Sequence, residues 1–129
     1  MACILIVDDQ TEAARPLALI LKHLGHEGVC VHSGEAALEY LRGKRPDLVI
    51  LDVMMPGMDG MEVLRQLRAN PAVSNLPVVM FSAVSDPTFQ FHAMQKGAND
   101  YWVKAAMPFE TLKNRVEVLL SDSEHASAE

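Results

Sequence analysis

The chain has 129 residues, half of them hydrophobic and 22% charged, the proportions of one folded globular domain. Eleven basic residues against seventeen acidic give a formal charge of −6 with no run of Lys or Arg, which argues against direct contact with nucleic acid or an anionic membrane. The longest apolar stretches, Cys3–Val7 and Leu48–Leu51, fall far short of the roughly 20 residues a membrane span needs, and Asp8 and Asp9 arrive too early for a secretory signal. A cytoplasmic location is expected.

In chain order, Cys3–Val7 reads as a strand, and Thr11–Leu24 as a helix whose stripe is Ala14, Leu17, Ala18, Leu21 and Leu24, with Pro16 near its start. Val29–His32 is the second strand. Ser33 then caps a helix through Arg42 that Gly43 ends. Asp47–Leu51 is the third strand, followed by a helix marked by Met61, Leu64 and Leu67 that stops before Pro71. Val78–Phe81 is the fourth strand, and Asp86-Pro87 opens a helix that ends at Gly97. Tyr101–Val103 is the fifth strand, and a last helix from Pro108 to Leu120 turns Phe109, Leu112, Val116, Leu119 and Leu120 inward. Residues 1–120 thus form one domain, and the polar residues 121–129 are expected to be a flexible tail. Cys3 and Cys30 sit in apolar runs and are expected to be buried free thiols.

The strands are continuously apolar instead of alternating, as when helices cover both faces of a parallel sheet. Five strand–helix alternations point to a doubly wound α/β sandwich with right-handed crossovers. In such a sheet, ligands bind beyond the carboxyl ends of the strands. Those ends carry Asp8-Asp9, Asp52, Ser82 and Lys104. Each residue alone has an ordinary use as a cap, a turn or a solvated charge; all five at one edge make a site. Two carboxylates about 4 Å apart repel by ~4 kcal/mol at an effective dielectric near 20, so one takes up a proton or a cation resolves the conflict. All-oxygen ligands select a hard ion, Mg²⁺ first with Mn²⁺ as substitute, and a magnesium site of this kind suits phosphoryl transfer. Lys104 and the Ser82 hydroxyl would neutralise and orient phosphoryl oxygens.

Asp8-Asp9, the segment Asp52-Val53-Met54-Met55-Pro56-Gly57-Met58-Asp59-Gly60, Ser82-Ala83, and Gly97-Ala98-Asn99-Asp100-Tyr101-Trp102-Val103-Lys104 together resemble the receiver domain of bacterial two-component response regulators. The likeness covers about residues 3–120 and implies a flavodoxin-like five-stranded parallel sheet in order 2-1-3-4-5. It implies that Asp52 accepts the phosphoryl group, that Asp9 binds Mg²⁺ directly with Asp8 in support, and that the backbone carbonyl of Met54 is a further ligand. Ser82 and Lys104 are then partners of phosphoryl oxygens. Tyr101 matches a switching aromatic, although a fixed core aromatic is the alternative, and Ala83 matches a small residue that keeps the acceptor accessible. The implied donor is a phosphohistidine on a histidine kinase or histidine phosphotransfer protein. The implied output is a changed surface around helix 4, strand 5 and helix 5 that a downstream protein reads. The expectation is a stand-alone, chemotaxis-regulator-like switch and not a turnover enzyme. Two other readings are a receiver-like scaffold that works without phosphorylation and a Mg²⁺-dependent aspartyl-phosphate phosphatase, which would want a second Asp where Met54 stands.

Two departures from the family pattern carry consequences. Ala105 stands where the family has proline, which predicts a trans Lys104–Ala105 bond. Met54 and Val84 occupy positions from which polar side chains can hold a hydrolytic water, which predicts slow loss of the phosphoryl group, over minutes or longer. His23 and His26 lie one turn apart without a third ligand and read as solvated residues. Met54, Met55 and Met58 read as loop packing, and Phe91 and Trp102 as partner anchors or core.

Overall fold

The computed structural model describes residues 1–104 and 107–128, with side chains through residue 121. The elements are β1 (Cys3–Val7), α1 (Thr11–His23), β2 (Glu27–Val31), α2 (Gly34–Gly43), β3 (Leu48–Leu51), α3 (Gly60–Ala69), β4 (Val78–Ser82), α4 (Pro87–Gln95), β5 (Asp100–Val103) and α5 (Phe109–Ala128). The strands form one parallel sheet in order β2-β1-β3-β4-β5, as the motif resemblance implies.

The continuously apolar strands are explained by what lies on each face. Successive side chains alternate between faces. Leu5, Val7, Val49, Leu51, Val78 and Met80 pack with Ala37 of α2, Val63, Leu64 and Leu67 of α3, and Ala93 of α4. Ile4, Ile6, Leu48, Ile50 and Val79 pack with Ala14, Leu17 and Leu21 of α1 and Leu112 and Val116 of α5. Every residue of β3 is buried, and in β1 and β4 only Cys3 and Phe81 are partly exposed. Burial of each Leu or Ile contributes about 1.5–3 kcal/mol, which makes the two-sided sheet the mechanical base of the edge above it.

Side chains set the helix starts. Ser33 Oγ accepts the Ala36 N–H at 3.0 Å, Asp59 Oδ1 accepts that of Glu62 at 3.0 Å, and Asp86 Oδ1 accepts that of Thr88 at 2.8 Å with Pro87 in the first turn. The Ser33 and Asp86 caps are legible in the sequence. Pro16 lies inside α1 on its exposed side, so the carbonyl it leaves without a partner meets solvent.

Several boundaries differ from the sequence reading. β2 runs from Glu27 to Val31 instead of Val29–His32; as an edge strand it is only half buried, and Glu27 pairs with Cys3. Gly43 is the last helical residue of α2, and the extended Lys44 ends it. Phe109 is 43% exposed, a correction to its inward assignment, because it opens α5 before the helix settles on the sheet. The backbone of α5 continues beyond Leu120 to Ala128, since that segment contains neither Gly nor Pro to break it. Cys3 and Cys30 are free but half buried. The Cys3 thiol lies 3.6 Å from the Tyr40 hydroxyl and the Cys30 thiol 3.9 Å from the Ala14 carbonyl, on opposite faces of the sheet. The Lys104–Ala105 bond lies outside the described residues.

Candidate functional site at the carboxyl edge of the sheet

Register brings the acidic residues together. Val7 of β1 pairs with Leu51 of β3, so Asp8 and Asp52, one residue further along each strand, stand side by side. The ladder still holds their backbones, with the Asp8 N–H on the Val31 carbonyl at 3.1 Å and the Asp52 N–H on the Val7 carbonyl at 2.8 Å. Both carboxylates are buried, Asp8 at 3% exposure and Asp52 at 5%, while Asp9 reaches toward solvent. Carboxylate oxygens of Asp8, Asp9 and Asp52 all lie within 4.8 Å of one another, and among the described residues no other group of three His, Cys, Asp or Glu side chains converges this way.

Lys104 closes the site from the far side. Its Nζ donates to Asp8 Oδ2 at 2.7 Å and lies 3.6 Å from Asp52 Oδ2. The other Asp8 oxygen accepts the Gln10 N–H at 2.9 Å, which fixes the turn into α1. Burial, with the charge of Asp8 added, raises the Asp52 carboxyl to about 6; Lys104 and the Met54 backbone N–H offset only part of that. An all-oxygen donor set with one carboxyl held this reluctantly ionised fits a hard divalent cation.

The loop after β3 folds tightly over Asp52. Gly57 has φ +74°, the left-handed region that favours glycine. Gly60 donates its N–H to the Val53 carbonyl at 2.9 Å, and a Cβ on it would overlap the Asp52 carbonyl oxygen. The Asp59 cap and the Gly60 contact start α3 directly against the end of β3. Met55 and Met58 pack into the core as loop packing predicts, whereas Met54 projects outward at 65% exposure, a correction to that reading.

Ser82 ends β4 fully buried and its Oγ accepts the Val84 N–H at 3.1 Å. The Tyr101 hydroxyl donates to the Val84 carbonyl at 2.7 Å, and its ring packs edge-on against Phe89 of α4 with centroids 6.2 Å apart. Burial raises the Tyr101 hydroxyl above its ordinary pKa, and the nearby Ser82 hydroxyl offsets part of that rise. The loop between β4 and α4 is therefore tied to both Ser82 and Tyr101. Ala83 is exposed.

Other residues singled out in the sequence lie elsewhere. His26 Nδ1 accepts the Ala2 N–H at 3.2 Å, a structural bond and not half of a metal pair. Trp102 is core at 2% exposure, with its indole N–H on Asp100 at 2.9 Å, whereas Phe91 is 64% exposed. The sequence reading missed Phe81, whose ring centroid lies 5.8 Å from the Lys104 ammonium.

Residues 4–117 match the response regulator receiver domain, and the chain belongs to that family. It is 40% identical over 126 residues to the DNA-binding response regulator MtrA of Mycolicibacterium smegmatis, covering 98% of this chain and 54% of that protein. The chain thus spans about half the length of the curated relatives it matches. A putative response regulator from Chloroflexus aurantiacus J-10-fl superposes with a TM-score of 0.88 at 35% identity, over 93% of this chain and 98% of that one. The Mn²⁺-bound form of response regulator Rcp1 superposes with a TM-score of 0.77 at 27% identity, over 88% of each chain. Receiver domains are signalling modules of two-component systems, and this chain has their fold. No helix among the described residues is long and apolar enough to cross a membrane.

Proposed function

We propose that this chain is a phosphorylation-controlled cytoplasmic switch in which Asp52 accepts a phosphoryl group from a phosphohistidine on a histidine kinase or histidine phosphotransfer protein. The observation that carries the reading is the buried Asp52 carboxylate held between Asp8 and the Lys104 ammonium at the sheet edge. An Asp52 oxygen forms the new O–P bond as the N–P bond of the donor breaks, and the departing imidazole nitrogen keeps the electron pair. No general base is needed once the carboxylate is ionised. Asp8, Asp9, Asp52 and the Met54 backbone carbonyl would hold Mg²⁺, or Mn²⁺ in its place, which supplies positive charge to phosphoryl oxygens. Lys104 shifts from Asp8 toward a phosphoryl oxygen, and the Ser82 hydroxyl turns from the Val84 N–H to another.

Regulation follows from the ties on the loop before α4. When Ser82 engages phosphate, its bond to Val84 is given up, and the Tyr101 bond to the same residue is released with it. The surface of α4, β5 and α5 then changes for a downstream protein partner. Neither membrane insertion nor direct nucleic-acid contact belongs to this reading, nor does turnover of a substrate.

Incubation with acetyl phosphate and Mg²⁺ is expected to add one phosphoryl group by intact mass and to add none to Asp52→Asn. Equal labelling of the variant defeats the proposal. Lifetime is a separate expectation. Met54→Asn places a polar group at the exposed rim beside the acceptor, where it can hold a water, and is expected to accelerate phosphoryl loss several-fold. A decay unchanged by the substitution, followed by mass after donor removal, counts against Met54 as the cause of persistence.

A further inference from the structure

Resting on that reading, we infer that the Phe81 ring is the seat that holds the Lys104 ammonium at the acceptor, which makes Phe81 a positioning residue for phosphoryl acceptance. Lys104 leaves the sheet one residue after β5 and must reach across β4 to Asp52 and Asp8. Phe81 pairs in register with Trp102, so both point to the α1/α5 face, and Lys104, two residues beyond Trp102, projects to the same side. The ammonium lies 5.8 Å from the ring centroid, within cation–π range, while its Nζ reaches Asp8 at 2.7 Å and Asp52 at 3.6 Å.

The ring is itself fixed. Phe81 meets Trp102 edge-on with centroids 6.2 Å apart, and the Trp102 indole is locked by its bond to Asp100 at 2.9 Å. Arg115 of α5 lies 3.3 Å from the same carboxylate. A chain of contacts thus runs from α5 through Asp100, Trp102 and Phe81 to the catalytic ammonium. A seat of this kind suits a cation that must move between anions. The π face attracts the ammonium without a fixed bond direction, so Lys104 can turn from Asp8 to a phosphoryl oxygen and keep its support. An aliphatic side chain of similar size would fill the space and offer no such attraction.

Two experiments test this. In protein free of divalent cations, urea unfolding of wild type, Phe81→Leu, Lys104→Met and the double variant forms a thermodynamic cycle. A favourable coupling is expected, on the order of a threefold effect on the unfolding equilibrium constant, consistent with a partly exposed cation–π pair. The second replaces Phe81 by phenylalanines of increasing fluorination, which keep the shape of the ring and progressively remove its negative face. Acetylation of Lys104 by acetic anhydride, quantified by peptide mass, is expected to rise stepwise along the series. Labelling with acetyl phosphate is expected to fall in the same order, with Phe81→Tyr close to wild type. Zero coupling together with a flat acetylation series overturns the seat. A graded acetylation series with labelling unaffected even in Lys104→Met leaves the seat in place and instead refutes the role of Lys104 in phosphoryl acceptance.

Discussion

Gly60→Ala is expected to destabilise the domain by on the order of 3 kcal/mol and to slow phosphoryl acceptance at Asp52. The sign is diagnostic. At an unstrained helical position, replacing glycine by alanine stabilises by about 0.4–1 kcal/mol, because the unfolded chain loses freedom. Gly60 has no positive φ to forbid a side chain; its constraint is space. An added Cβ would overlap the Asp52 carbonyl oxygen and lie 2.9 Å from both the Asp52 carbonyl carbon and the Val53 Cα, all backbone atoms that cannot turn aside. The relief available is to push α3 away from the end of β3, which breaks the Gly60–Val53 hydrogen bond. Gly43, with nothing within 4 Å of its added Cβ, is the matched control and is expected to gain stability on the same change. Urea denaturation of both variants checks the pair, and a Gly60→Ala protein as stable as wild type refutes the close approach.

Asp52→Asn, in protein stripped of divalent cations, is expected to raise Tm by on the order of 5 °C at about pH 8 and by much less at about pH 4. The folded carboxyl sits at about 6 against an ordinary value of 3.8, chiefly because it is buried and then because Asp8 stands beside it. Between those values the folded state binds more protons than the unfolded one. Wild-type stability therefore falls as pH rises through the window, and the cost is fully present above about 6. Asparagine has no charge to place there. Millimolar Mg²⁺ is expected to narrow the gap at the higher pH by stabilising wild type more than the variant. Thermal melts followed by circular dichroism read all three results. A Tm difference independent of pH eliminates the buried like-charge conflict as its source.

The sheet and its acidic edge were legible because their causes are local. Runs such as Ile4–Val7 and Leu48–Leu51 are apolar at every position, and only burial on both faces accounts for that. Asp8, Asp52, Ser82 and Lys104 fall at or just past strand ends, so parallel topology alone gathers them. What escaped the sequence depends on register or on contacts between elements. The start of β2 at Glu27 is hidden because an edge strand tolerates a polar residue on its open side. Phe81 beneath Lys104 requires the pairing of β4 with β5 to be known. Phe109 shows the limit of periodicity: it fits the stripe of α5 by spacing yet lies where the helix has not reached the sheet. The Gly60 contact is invisible in the motif until the loop is seen folded against Asp52.

Arg68 of α3 was not foreseen either. Its guanidinium, half buried, donates to the carbonyls of Ser74, Leu76 and Gly97 and to the Asn99 side chain, binding the end of α3 to both the start of β4 and the turn behind α4. Every acceptor is neutral, unlike the exposed Arg65–Glu62 pair on the same helix. Ionic strength weakens exposed ion pairs by screening opposite charges, and acid weakens them by protonating the carboxylate. The Arg68 clamp offers neither handle, so the back of the domain keeps its tether under salt and acidity that loosen its surface charges.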